Sequence, residues 1–144
     1  VRALVQRVAR ACVRVDGEQV GAIGPGLLVL LGVTHADTTA EADRLADKLR
    51  ALRIFPDAEG RMNESLGPRE VLCISQFTLY GDARKGTRPS YVAAAPPEIA
   101  EPLYARVCDR LEAARGVFGA QMEVELVNDG PVTLLVEVAA AGTR

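Results

Sequence analysis

The run Leu27-Leu28-Val29-Leu30-Leu31-Gly32-Val33 restricts the fold more than any other part of this chain. No side chain in it is polar, and Gly24-Pro25-Gly26 punctuates the chain just before it. It is far too short to cross a bilayer, which takes about 20 apolar residues. It fits a strand buried on both faces. Such a strand needs apolar cover above and below, so the sheet that contains it must lie inside a layered fold.

The flanking sequence offers that cover. Over residues 2–15, Ala3, Val5, Ala9, Ala11, Val13 and Val15 share one parity, while Arg2, Gln6, Arg10 and Arg14 fall on the other with Leu4, Val8 and Cys12 between them. This is the period of a strand whose second side is partly covered. Asp16-Gly17 signals a tight hairpin turn, and Gln19 to Ile23 is the return strand. Residues 38–53 switch to helical period. Ala42, Leu45, Ala46, Leu49 and Leu52 make one stripe, and Thr38 and Glu41 have capping-box spacing. Glu70 to Leu79 reads as a core strand around Val71-Leu72-Cys73-Ile74, and Tyr80 to Tyr91 as a loop rich in glycine and basic residues. Pro96-Pro97 opens a second helix with Ile99, Leu103, Val107, Leu111 and Ala114 in phase and Gly116 as its stop. Met122 to Val127 alternates, Asn128-Asp129-Gly130-Pro131 turns, and Val132 to Val138 is a last strand. The order β-β-β, α, β, α, β-β predicts an α/β protein with a mixed, largely antiparallel sheet and two main helices packed outside it. One domain is expected over residues 1–138, with 139–144 a flexible tail.

Composition enters through what it excludes. One histidine in 144 residues cannot build a His-rich metal site, and a formal net charge of -2 excludes a broad electrostatic grip on nucleic acid. Cys12, Cys73 and Cys108 are odd in number, far apart and without a C-x-x-C pair, which reads as free thiols in a reducing compartment. No apolar segment follows a basic start, so a cytoplasmic location is expected. Of the 17 basic residues only Lys48 and Lys85 are lysine, a bias that suits a GC-rich bacterial genome, and Val1 is what a GTG start codon translated literally gives.

Two segments carry polar residues directly after core strands: Ser75-Gln76-Phe77-Thr78-Leu79, and Asn128-Asp129-Gly130-Pro131-Val132-Thr133. Read locally, the first is a strand end with Phe77 in the core, and the second an ordinary turn. Thr78 is a nucleophile only with an activating base, and His35, the one histidine, is expected to cap the loop Val33–Asp37. Arg84, Lys85 and Arg88 are either a solvated loop or a set of phosphate contacts.

The motifs S-Q-F-T-L and N-x-G-P-V-T, together with Lys85-Gly86-x-Arg88-Pro89 and the opening Arg2-Ala3-x-x-Gln6-Arg7-Val8, resemble the bacterial D-aminoacyl-tRNA deacylases. These motifs in family order, in a chain of family length, extend the resemblance over residues 1–138. It implies a three-layer fold and an obligate homodimer without a metal or other cofactor. It also implies hydrolysis of the ester joining a D-amino acid to the 3′ acceptor end of tRNA, and of Gly-tRNA mischarged on tRNA-Ala. By the same resemblance the Gly130-Pro131 bond is cis, and its loop enters the partner subunit's site. There its main-chain carbonyls meet the amino group and Cα, so that L-amino acids are excluded while glycine passes. Arg7 is expected to brace this loop through its carbonyls, since arginine has five donors. Ser75, Gln76, Phe77 and Thr78 are expected to form the site floor. Phe77 would stack on the terminal adenine, and main-chain N–H groups with Gln76 would face the ester oxygen. The ribose 2′-OH would orient the attacking water. Arg84, Lys85 and Arg88 would then meet acceptor-end phosphates. The competing readings are a relative with relaxed chirality, a domain that removes a wrong L-amino acid, and a non-catalytic RNA-binding module on the same fold.

Overall fold

The computed structural model describes residues 1–141. Its main sheet has six strands. β1 (Arg2–Val15) and β2 (Glu18–Ile23) form the expected hairpin. Its turn residues Asp16 and Gly17 both have positive φ, 51° and 80°, as a two-residue turn of matching twist requires. β3 (Gly26–Gly32) lies antiparallel to the first half of β1, and β6 (Glu70–Ser75) lies parallel to β3. α1 (Thr39–Ala51) makes the right kind of crossover between these two parallel strands. A small hairpin, β4 (Phe55–Pro56) with β5 (Met62–Glu64), follows that helix. α2 (Pro97–Leu111) leads to β7 (Ala114–Arg115), which pairs with β6, and β8 (Glu123–Glu137) runs along β1 for nearly its whole length.

The apolar run behaves as its composition demands. Leu27, Val29 and Leu31 face the core shared with α1 and α2, together with Val71 and Cys73 of β6. Leu28, Leu72 and Ile74 face the other way and meet Val8, Ala11, Val13 and Ile23. The second half of β1 therefore folds over the far side of β3 and β6, so helices, central strands and folded-over strands make three layers. This curl shifts the parity of β1: Ala3 and Val5 are buried, then Val8, then Ala11 and Val13, while Ala9 is exposed against expectation. The register of β1 against β8 slips between Gln6 and Val8 and again between Val8 and Arg10, and β1 changes face between Val5 and Val8.

The capping box of α1 is formed. Thr38 Oγ1 accepts from the Ala40 N–H at 3.2 Å, and the Glu41 carboxylate accepts from the Thr38 N–H at 2.7 Å. Ala42, Leu45, Ala46 and Leu49 are buried in phase. α2 stops earlier than its period suggests, because Glu112 takes a left-handed conformation (φ 51°) and Ala114 turns into β7. Two further expectations are corrected. β6 ends at Ser75, and Phe77–Tyr80 form a 3-10 turn rather than a continuing strand. The C-terminal hairpin does not exist: residues 123–137 are one strand whose direction does not reverse at Asn128-Asp129-Gly130-Pro131. Of the expected tail at 139–144, the Ala139 carbonyl accepts from Arg44 Nη2 at 3.2 Å, and residues 142–144 lie outside the described residues.

Candidate active site

The parallel pair β3 and β6 end side by side, and ligands bind in parallel sheets at such carboxyl ends. The Gln76 N–H still donates to the Leu31 carbonyl at 2.7 Å, after which the chain leaves the sheet. At this exit lies a cavity of about 490 Å³. Ser75, Gln76 and Phe77 form one wall, Ala94, Ala95, Pro97 and Ala100 a second, and Phe118 to Met122 a third. The small alanines keep it open. The segment 118–122 was not singled out in the sequence, where Phe118-Gly119-Ala120-Gln121 reads as a plain connection. Only Phe118 and Met122 standing around a positive-φ glycine (Gly119, 78°) hint at a shaped wall.

Phe77 is 55% exposed, which removes the core reading of this side chain. Its ring meets Tyr91 edge-on at 5.1 Å. The Gln76 side-chain amide donates to the exposed Thr78 hydroxyl. His35 is hydrogen-bonded elsewhere than to Thr78: its Nε2 lies 2.7 Å from the Val92 carbonyl, an acceptor, so Nε2 carries the proton there. The loop Val33–Asp37 is capped by Asp37 instead, whose Oδ2 accepts from the Thr34 N–H at 2.8 Å. Tyr80, buried behind the 3-10 turn, has its phenol pushed up by burial and stays neutral. Among the described residues no group of three or more His, Cys, Asp or Glu is placed to hold a metal ion.

Gly130 and Pro131 lie elsewhere on the chain and do not line this cavity. Their peptide bond is cis. Gly130 has φ 146°, and a Cβ there would sit 2.8 Å from Val132 atoms, so only glycine suits the position. Arg7 is beside this loop: its Nε donates to the Asp129 carbonyl at 2.8 Å and its Nη1 to the Ile54 carbonyl at 2.7 Å.

The basic residues form a third group. Asp82 and Ser90 exchange two main-chain hydrogen bonds, at 2.7 and 2.8 Å, and close a loop that carries Arg84, Lys85 and Arg88, all exposed. Tyr91 follows directly and roots this loop beside Phe77. Arg84 is not a free cation. The Asp82 carboxylate accepts from its Nε at 2.9 Å and from its Nη2 at 2.7 Å, which holds that carboxyl down to about 2. One chain therefore unites Arg7 with Gly130-Pro131, and separately unites Ser75–Phe77 with the cavity and the rooted basic loop.

Together these features define a three-layer α/β protein whose candidate site is built from strand ends and main chain, with few ionisable groups. The chain matches the family D-Tyr-tRNA(Tyr) deacylase over residues 4–137. A D-aminoacyl-tRNA deacylase of Symbiobacterium thermophilum is 56% identical over 95% of this chain and 95% of its own, and one of Opitutus terrae is 59% identical over 95% and 97%. A solved structure described as a c-Myc DNA unwinding element binding protein superposes with a TM-score of 0.91 at 41% identity, covering 97% of this chain and 100% of that one. A second, described as a probable eukaryotic D-amino acid tRNA deacylase, has a TM-score of 0.83 at 17% identity and speaks for the fold alone. This protein belongs to the D-Tyr-tRNA(Tyr) deacylase family, a family of hydrolases.

Proposed function

We propose that this protein hydrolyses the ester of D-aminoacyl-tRNA, and of Gly-tRNA mischarged on tRNA-Ala, as a cytoplasmic homodimer. The observation that carries the reading is the cavity at the ends of β3 and β6, walled by Ser75, Gln76 and an exposed Phe77, in a chain of this family. Water adds to the ester carbonyl carbon, the carbon–oxygen bond to the ribose breaks, and the ribose oxygen takes up a proton. Phe77 offers a face or edge to the terminal adenine. Main-chain N–H groups past the last ladder pair, with the Gln76 amide, stabilise the oxygen that gains charge. Among the described residues the Thr78 hydroxyl is hydrogen-bonded by the Gln76 amide and by no base, so the 2′-OH of the terminal ribose orients the water.

Stereochemical selection falls to the Gly130-Pro131 loop of a second copy. The loop stands away from its own cavity, and main-chain atoms present a wall that no side-chain change alters. A partner is supported by β8, which carries exposed apolar side chains at Val124, Val127, Leu134 and Leu135, the last 61% exposed. A two-fold pair would cover the same surface on both copies. Deacylation of D-Tyr-tRNA, L-Tyr-tRNA and Gly-tRNA tests the reading. Turnover of the D and glycyl esters with L-Tyr-tRNA spared supports it. Binding without turnover would instead make this a nucleic-acid-binding module, and equal turnover of all three a relaxed-chirality relative.

A further inference from the structure

Opposite the single residue Arg7, β8 places four, Asp129 to Val132, because Gln6 pairs with Thr133 and Val8 with Asn128. An interruption of this size removes ladder hydrogen bonds, and the freed main-chain groups need other partners. The side chain of Asn128 supplies those of Val132. Its Oδ1 accepts from the Val132 N–H at 2.8 Å, while its Nδ2 donates to Thr133 Oγ1 at 2.9 Å and, at longer range, to the Val132 carbonyl at 3.4 Å. The Val132 N–H can only donate, so the orientation of the amide follows from its partner. Gln6 Nε2, on β1, reaches the same Thr133 hydroxyl at 3.4 Å. The amide thus spans the base of the extruded segment, from the residue before Asp129 to the two residues after Pro131. Arg7 holds the Asp129 carbonyl on one limb of that segment only.

We infer that Asn128 is a positioning residue: by closing the base of the loop it sets where the Gly130 and Pro131 main-chain atoms project, and with that the stringency of chiral selection. The inference rests on the proposed role of this loop. An amide suits the task because one planar group carries an acceptor for Val132 and donors for Thr133. Aspartate keeps the acceptor, and the Thr133 hydroxyl can turn to donate to it. Alanine offers neither.

The test uses the full chain with Asn128→Ala and Asn128→Asp, read by hydrogen exchange of the Val132 amide and by deacylation of D-Tyr-tRNA and L-Tyr-tRNA. In Asn128→Ala the Val132 amide loses protection and the ratio of D to L turnover falls on the order of 10²-fold, as expected for misplaced positioning groups. Asn128→Asp keeps both the protection and the ratio. A folded Asn128→Ala protein with an unchanged ratio overturns the inference, as does an equal loss for both substrates. Should Asn128→Ala fail to fold, Thr133→Val removes the other end of the closure, and its ratio must fall as well. A wild-type protein with no preference for the D ester overturns the proposed function instead, while exchange at Val132 still reports whether Asn128 closes the loop.

Discussion

The Arg7 guanidinium meets the Asp129 main-chain carbonyl at 2.8 Å, across the gap in the β1–β8 ladder, and the Asp129 carboxylate lies 3.7 Å from the same Nε. From its other side the guanidinium holds the Ile54 carbonyl at 2.7 Å, tying the loop to the segment after α1. Its side chain is only 12% exposed; the bond to Ile54 is part-buried, while the one to Asp129 lies at the surface.

Arg7→Ala leaves two carbonyls without their charged donor. The expected cost is about 3 kcal/mol of stability, a fall in Tm of roughly 10 °C by calorimetry. In the deacylation assay the same variant loses preference for the D ester. Arg7→Lys recovers only part of both, because one ammonium does not reproduce the fork that spans two carbonyls. Unchanged selectivity in a folded Arg7→Ala protein would refute the brace.

If the RNA orients the attacking water, D-Tyr-tRNA ending in 2′-deoxyadenosine is hydrolysed slower by about 10²-fold or more, the usual worth of a group that handles a proton in the transition state. Thr78→Ala, measured by the same single-turnover assay, retains most of its rate. The reverse pattern, with the deoxy substrate fully active and Thr78→Ala dead but still binding, restores the threonine nucleophile.

Binding of tRNA should weaken with salt. Lys85→Ala and Arg88→Ala are each expected to reduce the slope of log K against log salt by about 1. Arg84→Ala reduces it by less, since Asp82 already neutralises that guanidinium. Titration of binding across salt concentrations for the three variants checks this ordering.

Asp82 titrates at about 2 while paired with Arg84, below its ordinary value of about 3.9. A carboxyl lowered on folding contributes stability that is present above the unfolded value and is lost as pH falls through the folded one. The contribution of this pair therefore persists at neutral pH and disappears between about pH 4 and pH 2. Carboxyl-carbon NMR of Asp82 reads the midpoint directly, and Arg84→Ala moves it back up toward the ordinary value.

Much of this protein can be read residue by residue. The helix over residues 39–51 follows from a five-residue apolar stripe and a capping box, both local in sequence. The run 27–33 requires cover on two faces, and it has it. Gly130 takes a conformation that only glycine suits, and Arg7 holds the carbonyl of the residue before it. The cavity wall at Phe118–Met122 was not legible, because those residues come to face Ser75–Phe77 only through strand pairing. Nor was the partner of Arg84, since a loop reads the same whether its cations point to water or to a carboxylate.

The amino-acid sequence by itself determined the two helices, the first hairpin and the buried central strands, because side-chain period, capping and backbone freedom act over a few neighbours. The tertiary structure alone decided that β8 is one strand with an extruded loop rather than a hairpin. It likewise decided that Asn128 rather than a turn closes that loop, and that β1 changes face midway. Those outcomes depend on the register of strands more than a hundred residues apart. Register is set by which faces can be buried together, a condition that no local window of the chain contains.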